Sequence, residues 1–89
     1  MEVVNTGKAF TIRLSPRSSA ELAYHTEMDL IFLDSTYVPK KFRGKGVGSR
    51  LVEAAISHAK ENGLRVVPVC PFAAEYFKKH PEHNGMLAQ

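Results

Sequence analysis

Glycines at 44, 46 and 48, set among Arg43, Lys45, Ser49 and Arg50, are the residues of this chain with the plainest chemical use. The stretch Val38-Pro39-Lys40-Lys41-Phe42-Arg43-Gly44-Lys45-Gly46-Val47-Gly48-Ser49-Arg50-Leu51 runs from a buried-strand pattern into an amphipathic-helix pattern. The first amides of a helix have no internal partner, and aligned peptide dipoles place partial positive charge there. A diphosphate laid on those amides is held by backbone N–H groups. Glycine removes the side chains that would keep it away, and the flanking cations add charge. The pattern predicts a pyrophosphate cradle in this glycine-rich segment. A dinucleotide fingerprint begun at Gly44 needs glycine where Ser49 stands, and a P-loop needs a closing Gly-Lys-Ser/Thr that the segment lacks.

The charge balance supports a local site. Lys and Arg number 12 against 9 Asp and Glu, a net +3. Lys40, Lys41, Arg43, Lys45 and Arg50 fall between Pro39 and Arg50 with no acid among them. The remainder is slightly acidic, so an anion site is favoured over a surface that coats nucleic acid. Only Tyr37 and Phe42 flank the cations, short of the aromatic interleaving that stacks bases. Nucleic acid is therefore not the expected partner.

Length and composition set the frame. Eighty-nine residues predict one domain, 1–89, with a thin core. A hydrophobic share of 44% and a charged share of 24% are those of a globular chain. The single cysteine excludes an internal disulfide framework or a multi-cysteine zinc site, and the histidines show no metal spacing. No apolar run has the length of a membrane span, and Met1-Glu2-Val3-Val4-Asn5 lacks a signal design. A cytoplasmic protein is the expectation.

The elements that must position the cradle follow from periodicity. Phe10 to Leu14 and Ala20 to His25 alternate apolar and polar, predicting an antiparallel hairpin around the turn at Ser15 to Ser19. Leu30-Ile31-Phe32-Leu33 is apolar on both faces, predicting a strand covered on two sides that runs on to Val38. Residues 1–9 leave room for a short first strand. Val47, Leu51, Val52, Ala55 and Ala59 make a helical stripe that Asn62-Gly63 stops. Val66 to Val69 reads as a short strand, with Pro68 implying a sheet edge or a splay. A helix starts at Pro71 and ends before Pro81, leaving a polar tail, 82–89, expected to fray. The order β-β-β-α-β-α predicts an α+β domain whose mixed sheet is antiparallel first and parallel at the crossover.

Arg43-x-x-Gly46-x-Gly48, directly after a strand and Val38-Pro39, resembles the acetyl-coenzyme A signature of the GNAT superfamily of N-acetyltransferases. Ser35-Thr36-Tyr37-Val38-Pro39 and Val69-Cys70-Pro71-Phe72 look like a minimal subfamily of it. The resemblance spans about residues 10–81. It implies a truncated three-layer α/β/α fold and acetyl-CoA as cofactor. It also implies diphosphate binding by the amides of Arg43, Gly44, Lys45, Gly46, Val47, Gly48 and Ser49. Thr36, Tyr37 and Val38 would bond the pantetheine arm where two parallel strands splay. Many relatives carry a tyrosine on the last helix that protonates the departing thiolate. Here Phe77 takes that place and Tyr76 falls one residue earlier. Relatives also have further strands and helices for which this length leaves no room, so part of the acceptor wall is expected to be missing.

Cys70 is the foremost reactive candidate. It precedes Pro71 at a helix start, where the dipole favours a thiolate. With the thioester near, it could act as nucleophile or as proton donor; otherwise it is a buried, inert thiol. Asp34 is a candidate base for an amine, or else a hydrogen-bonded strand residue. Lys78 and Lys79 could approach phosphates or simply be solvated. The leading reading is transfer of acetyl from acetyl-CoA to an unidentified amine. The alternative is a non-catalytic acetyl-CoA binder acting as sensor, carrier or docking module.

Overall fold

A computed structural model describes residues 2–88; Met1 and Gln89, the outermost residues of the expected domain and of its tail, lie outside them. Period-two alternation becomes an antiparallel meander of β1 (Val3–Asn5), β2 (Ala9–Ser15), β3 (Ser18–Glu27) and β4 (Leu30–Tyr37). A 3-10 turn, Lys40–Phe42, leads into α1 (Val47–Glu61). Next come β5 (Arg65–Pro68), parallel to β4, and α2 (Pro71–Lys79). The strand order is β1-β2-β3-β4-β5.

The expected stripe on α1 is buried, joined by Ile56. Gly63 then takes the left-handed conformation, with φ 65°, just past the Asn62 cap. Beneath α1 lie Ile12, Leu22, Leu33 and the stacked rings of Phe10 and Tyr24, 4.8 Å apart. The half-buried ring of His58 meets Phe10 edge-on, so this histidine belongs to the margin of the core.

Both helices share one apolar cluster with the same sheet face, and the Tyr76 hydroxyl on α2 reaches Glu53 on α1. The chain therefore holds two layers of the expected three. The apolar run 30–33 suggested two covers, but only Ile31 and Leu33 are buried in the core. On the other face Phe32 is shielded by the ring of His25, with centroids 4.6 Å apart and planes 7° apart. A neighbouring strand's aromatic side chain does the work of a missing layer.

The tail differs too. Pro81–Met86 forms a 3-10 turn, Leu87 bridges Val66, and the Ala88 N–H donates to the Val66 carbonyl at 2.9 Å. Arg65 donates to the Gly85 carbonyl. These contacts cover part of the β5 edge that was expected to be bare. They are made largely to backbone carbonyls, so polar composition concealed them.

Met28, in the two-residue turn between β3 and β4, has φ 55° and is 98% exposed. A side chain there crowds its own carbonyl, and asparagine tolerates that region better. Met28→Asn should raise stability by about 0.5–1 kcal/mol, read as a higher denaturant midpoint.

Candidate active site

β4 and β5 pair only from Leu30↔Arg65 to Leu33↔Pro68. Beyond that point the Cys70 N–H donates to the Leu33 carbonyl at 3.0 Å and the chain turns into α2. β4 meanwhile continues to Tyr37 beside β3 alone. The two parallel strands part, and residues 34–37 present an edge without a β5 partner. Pro68 is the last paired residue, where a missing N–H ends a ladder and does not interrupt one.

A bulge shapes this edge. Ala23 pairs with Ser35 and Tyr24 with Leu33, leaving Asp34 as the extra residue. Strict alternation from Leu33 would turn Thr36 away from the helices. The extra residue reverses this, and Thr36 Oγ1 lies 3.2 Å from Cys70 Sγ.

Opposite the open edge stands the start of α1. Gly46, at its N-cap, has φ 82°, and no side chain caps the helix. Gly44 has φ 78°, so any L side chain at either position is strained. Arg43 Nε donates to the Val38 carbonyl at 2.8 Å, tying the loop to the strand end. A cavity of ≈ 460 Å³ lies between strand edge and helix start. Thr36, Tyr37 and Val38 line it from the strand side, and Arg43, Gly44, Gly46, Val47, Gly48 and Ser49 from the other. Lys45, expected at the cofactor, is exposed and does not line it.

Phe42 and Phe72 complete the walls, and sequence reasoning assigned neither of them a site role. A Cβ built on Gly48 would stand 2.6 Å from Phe72 Cζ, so the bare glycine is what lets the ring close over the helix start. Cys70, the N-cap of α2, is 5% exposed and sits behind Thr36 as seen from the cavity.

The other two reactive candidates lie elsewhere. The Tyr76 hydroxyl donates to Glu53 Oε2 at 3.2 Å. Burial, then the Glu53 charge, pushes its pKa up to about 12. Its ring stacks on His80, 4.0 Å between centroids, beside a recess of ≈ 100 Å³ that shares Ser49 and Phe72 with the main cavity and also takes in Lys79. A hydroxyl held by a carboxylate is poorly placed to protonate a thiolate. Tyr76→Phe should leave turnover within about twofold and cost about 1 kcal/mol of stability for the lost bond.

Asp34 is on the face away from the helices, where its Oδ2 lies 2.6 Å from His25 Nδ1. That bond, ahead of all else, raises the His25 pKa above 6.5, with Glu27 adding to it. The pair steadies the sheet below pH 6.5, and its contribution fades as pH rises through the raised value.

A mixed sheet with one parallel crossover, strands that part, and a glycine-rich turn into the crossover helix define an acyl-transferase architecture. Residues 9–86 match the sequence profile of the GCN5-related N-acetyl-transferase family, and the chain belongs to it. A GCN5-like protein from Staphylococcus aureus, solved by NMR in solution, superposes with a TM-score of 0.80 at 28% identity, covering 98% of this chain and 87% of that one. Protein NATD1 of Gallus gallus is 30% identical over 76 residues, 83% of this chain and 69% of its own. Protein NATD1 of Homo sapiens is likewise 30% identical, over 67% of its length. The expected α+β fold and acetyltransferase activity are borne out. Among the described residues no helix is long and apolar enough to cross a membrane, and no group of three His, Cys, Asp or Glu could hold a metal.

Proposed function

We propose that the cavity holds acetyl-CoA and that the chain passes its acetyl group to an amine. One observation carries this: an uncapped helix start faces an open strand edge across ≈ 460 Å³ of space. The residues fit such a ligand. Gly44 and Gly46 leave open space where a Cβ would stand; the Arg43 amide is taken by the Lys40 carbonyl, and those from Gly44 to Ser49 would hold a diphosphate. The backbone of Thr36 to Val38 pairs with the amides of the pantetheine arm as an added strand would. Bound there, acetyl-CoA supplies an acyl group already activated as a thioester.

The chain supplies protons and orientation. Thr36 faces the cavity with Cys70 behind it, an order that suits proton donation to a departing sulfur better than direct attack by Cys70. The Val38 amide is available to a developing oxyanion. Cys70, the chain's only cysteine, is a free buried thiol, which fits a reducing compartment such as the cytoplasm.

Titration calorimetry with acetyl-CoA should show one saturable site, and RNA should give no comparable heat. No heat with acetyl-CoA overturns the reading. After incubation with labelled acetyl-CoA, mass spectrometry should find no acetyl adduct on Cys70. An adduct there would establish the nucleophilic route instead.

A further inference from the structure

We propose that the bond between Asp34 and His25 is a latch on the outer sheet face that holds the β4 bulge, and that through the bulge these two residues position Thr36 in the cavity. What Thr36 does for a ligand rests on the cavity reading above; the latch itself does not.

Two registers compete for the end of β4. In the one observed, Asp34 is the extra residue, Ser35 pairs with Ala23, Thr36 with Leu22 and Tyr37 with Glu21. Leu22 is buried in the core and Glu21 is exposed, so Thr36 turns inward to Cys70 and Tyr37 outward. A ladder continued without a break from the pair of Tyr24 and Leu33 would set Asp34 against Ala23, Ser35 against Leu22 and Thr36 against Glu21. Ser35 would then face the helices, and Thr36 would leave the cavity it lines. The Tyr37 ring would be driven inward opposite Ala20, which has no exposed surface.

A bulged residue has no partner in the ladder, so its own side chain has to hold it. Asp34 Oδ2 lies 2.6 Å from His25 Nδ1. The imidazole is itself fixed from two directions. Its plane lies against Phe32, with centroids 4.6 Å apart, and its Nε2 is 3.2 Å from Glu27 Oε2. His25 pairs with Phe32 and Glu27 with Leu30 in the unbroken part of the ladder. The latch therefore ties the one irregular residue back to the regular register. The same bond is the foremost cause that raises the His25 pKa above 6.5, so the two groups act as a unit. Neither residue lines the cavity, and both act on it only through the strand. They are positioning residues.

His25→Phe tests this, because it keeps a ring against Phe32 and removes both nitrogens. In the ligand-free protein, NMR should show Thr36 in cross-strand contact with Leu22. In His25→Phe and in Asp34→Ala a second set of contacts, Ser35 with Leu22, should appear. Calorimetry should show acetyl-CoA affinity lower by about two- to fivefold in both, the range of a partly exposed charged pair. Deletion of Asp34 is the rescue: without the extra residue, Ser35 still meets Ala23 and Thr36 still meets Leu22 in an unbroken ladder. The shortened chain should keep Thr36 inward and affinity within about twofold of the parent, and adding His25→Phe should change neither. A single, unchanged register in both point variants overturns the latch. So does a shortened chain in which His25→Phe still displaces Thr36. No heat from the parent with acetyl-CoA overturns the cavity reading and not the latch, which the ligand-free spectra decide.

Discussion

Cys70→Ala should cut acetyl transfer about a hundredfold while leaving acetyl-CoA affinity within about twofold, because it removes a proton source and no part of the cavity wall. Cys70 is 5% exposed, and its sulfur is 3.2 Å from the hydroxyl of Thr36, a residue that lines the cavity. Truncation leaves that hydroxyl without its partner, at a stability cost of about 1 kcal/mol, too little to unfold the domain. Cys70→Ser keeps a hydrogen bond to Thr36 and fills nearly the same volume. Its hydroxyl is a poorer proton donor, so it should fold like the parent and still be slow. Thr36→Val should match Cys70→Ala in rate, since the two act in series and their losses will not add. Full activity in both single variants would remove the pair from the mechanism.

Gly48→Val should weaken acetyl-CoA binding roughly 5- to 150-fold, the equivalent of an overpacked contact costing about 1–3 kcal/mol. The clash is with the far end of Phe72, whose ring is 42% exposed and can swing outward. The fold is spared and the ligand space is not: the displaced ring is a wall of the cavity. Calorimetry should therefore show the loss while the thermal midpoint moves little. Adding Phe72→Ala restores room for the valine and should recover part of the affinity. Phe72→Ala alone lowers it, so the double variant should do better than the sum of the two single losses predicts. Parent-like affinity in Gly48→Val would mean that the ring is not a wall of the bound site.

The contrast between these positions explains what could be read from the chain alone. Gly44, Gly46 and Gly48 are statements about the backbone, and a site built from backbone amides is legible wherever glycine and helix start coincide. Phe42 and Phe72 act through where their rings lie, and a phenylalanine in sequence reads as core. Likewise the stripe from Val47 to Ala59 announces α1, because helical packing repeats locally. The pairing of His25 with Asp34 and the inward turn of Thr36 depend on a single extra residue in one ladder. Alternation gives no sign of such a slip. The tail escaped for a related reason: Ala88 is held by the carbonyl of Val66, a group every residue has. The number of layers escaped because Phe32 is shielded from within the sheet, by His25.

Strand order equals chain order across the whole sheet. Each hairpin can close on the last as the chain emerges, and such short-range closure favours rapid folding. Four strands are then complete before any of α1 is made. The parallel partner β5 and the start of α2 arrive last, and with them the fork, Cys70 and the Phe72 wall. A chain cut or stalled before Arg65 would own four of its five strands and the glycine-rich cradle, but neither the fork, nor Cys70, nor the Phe72 wall.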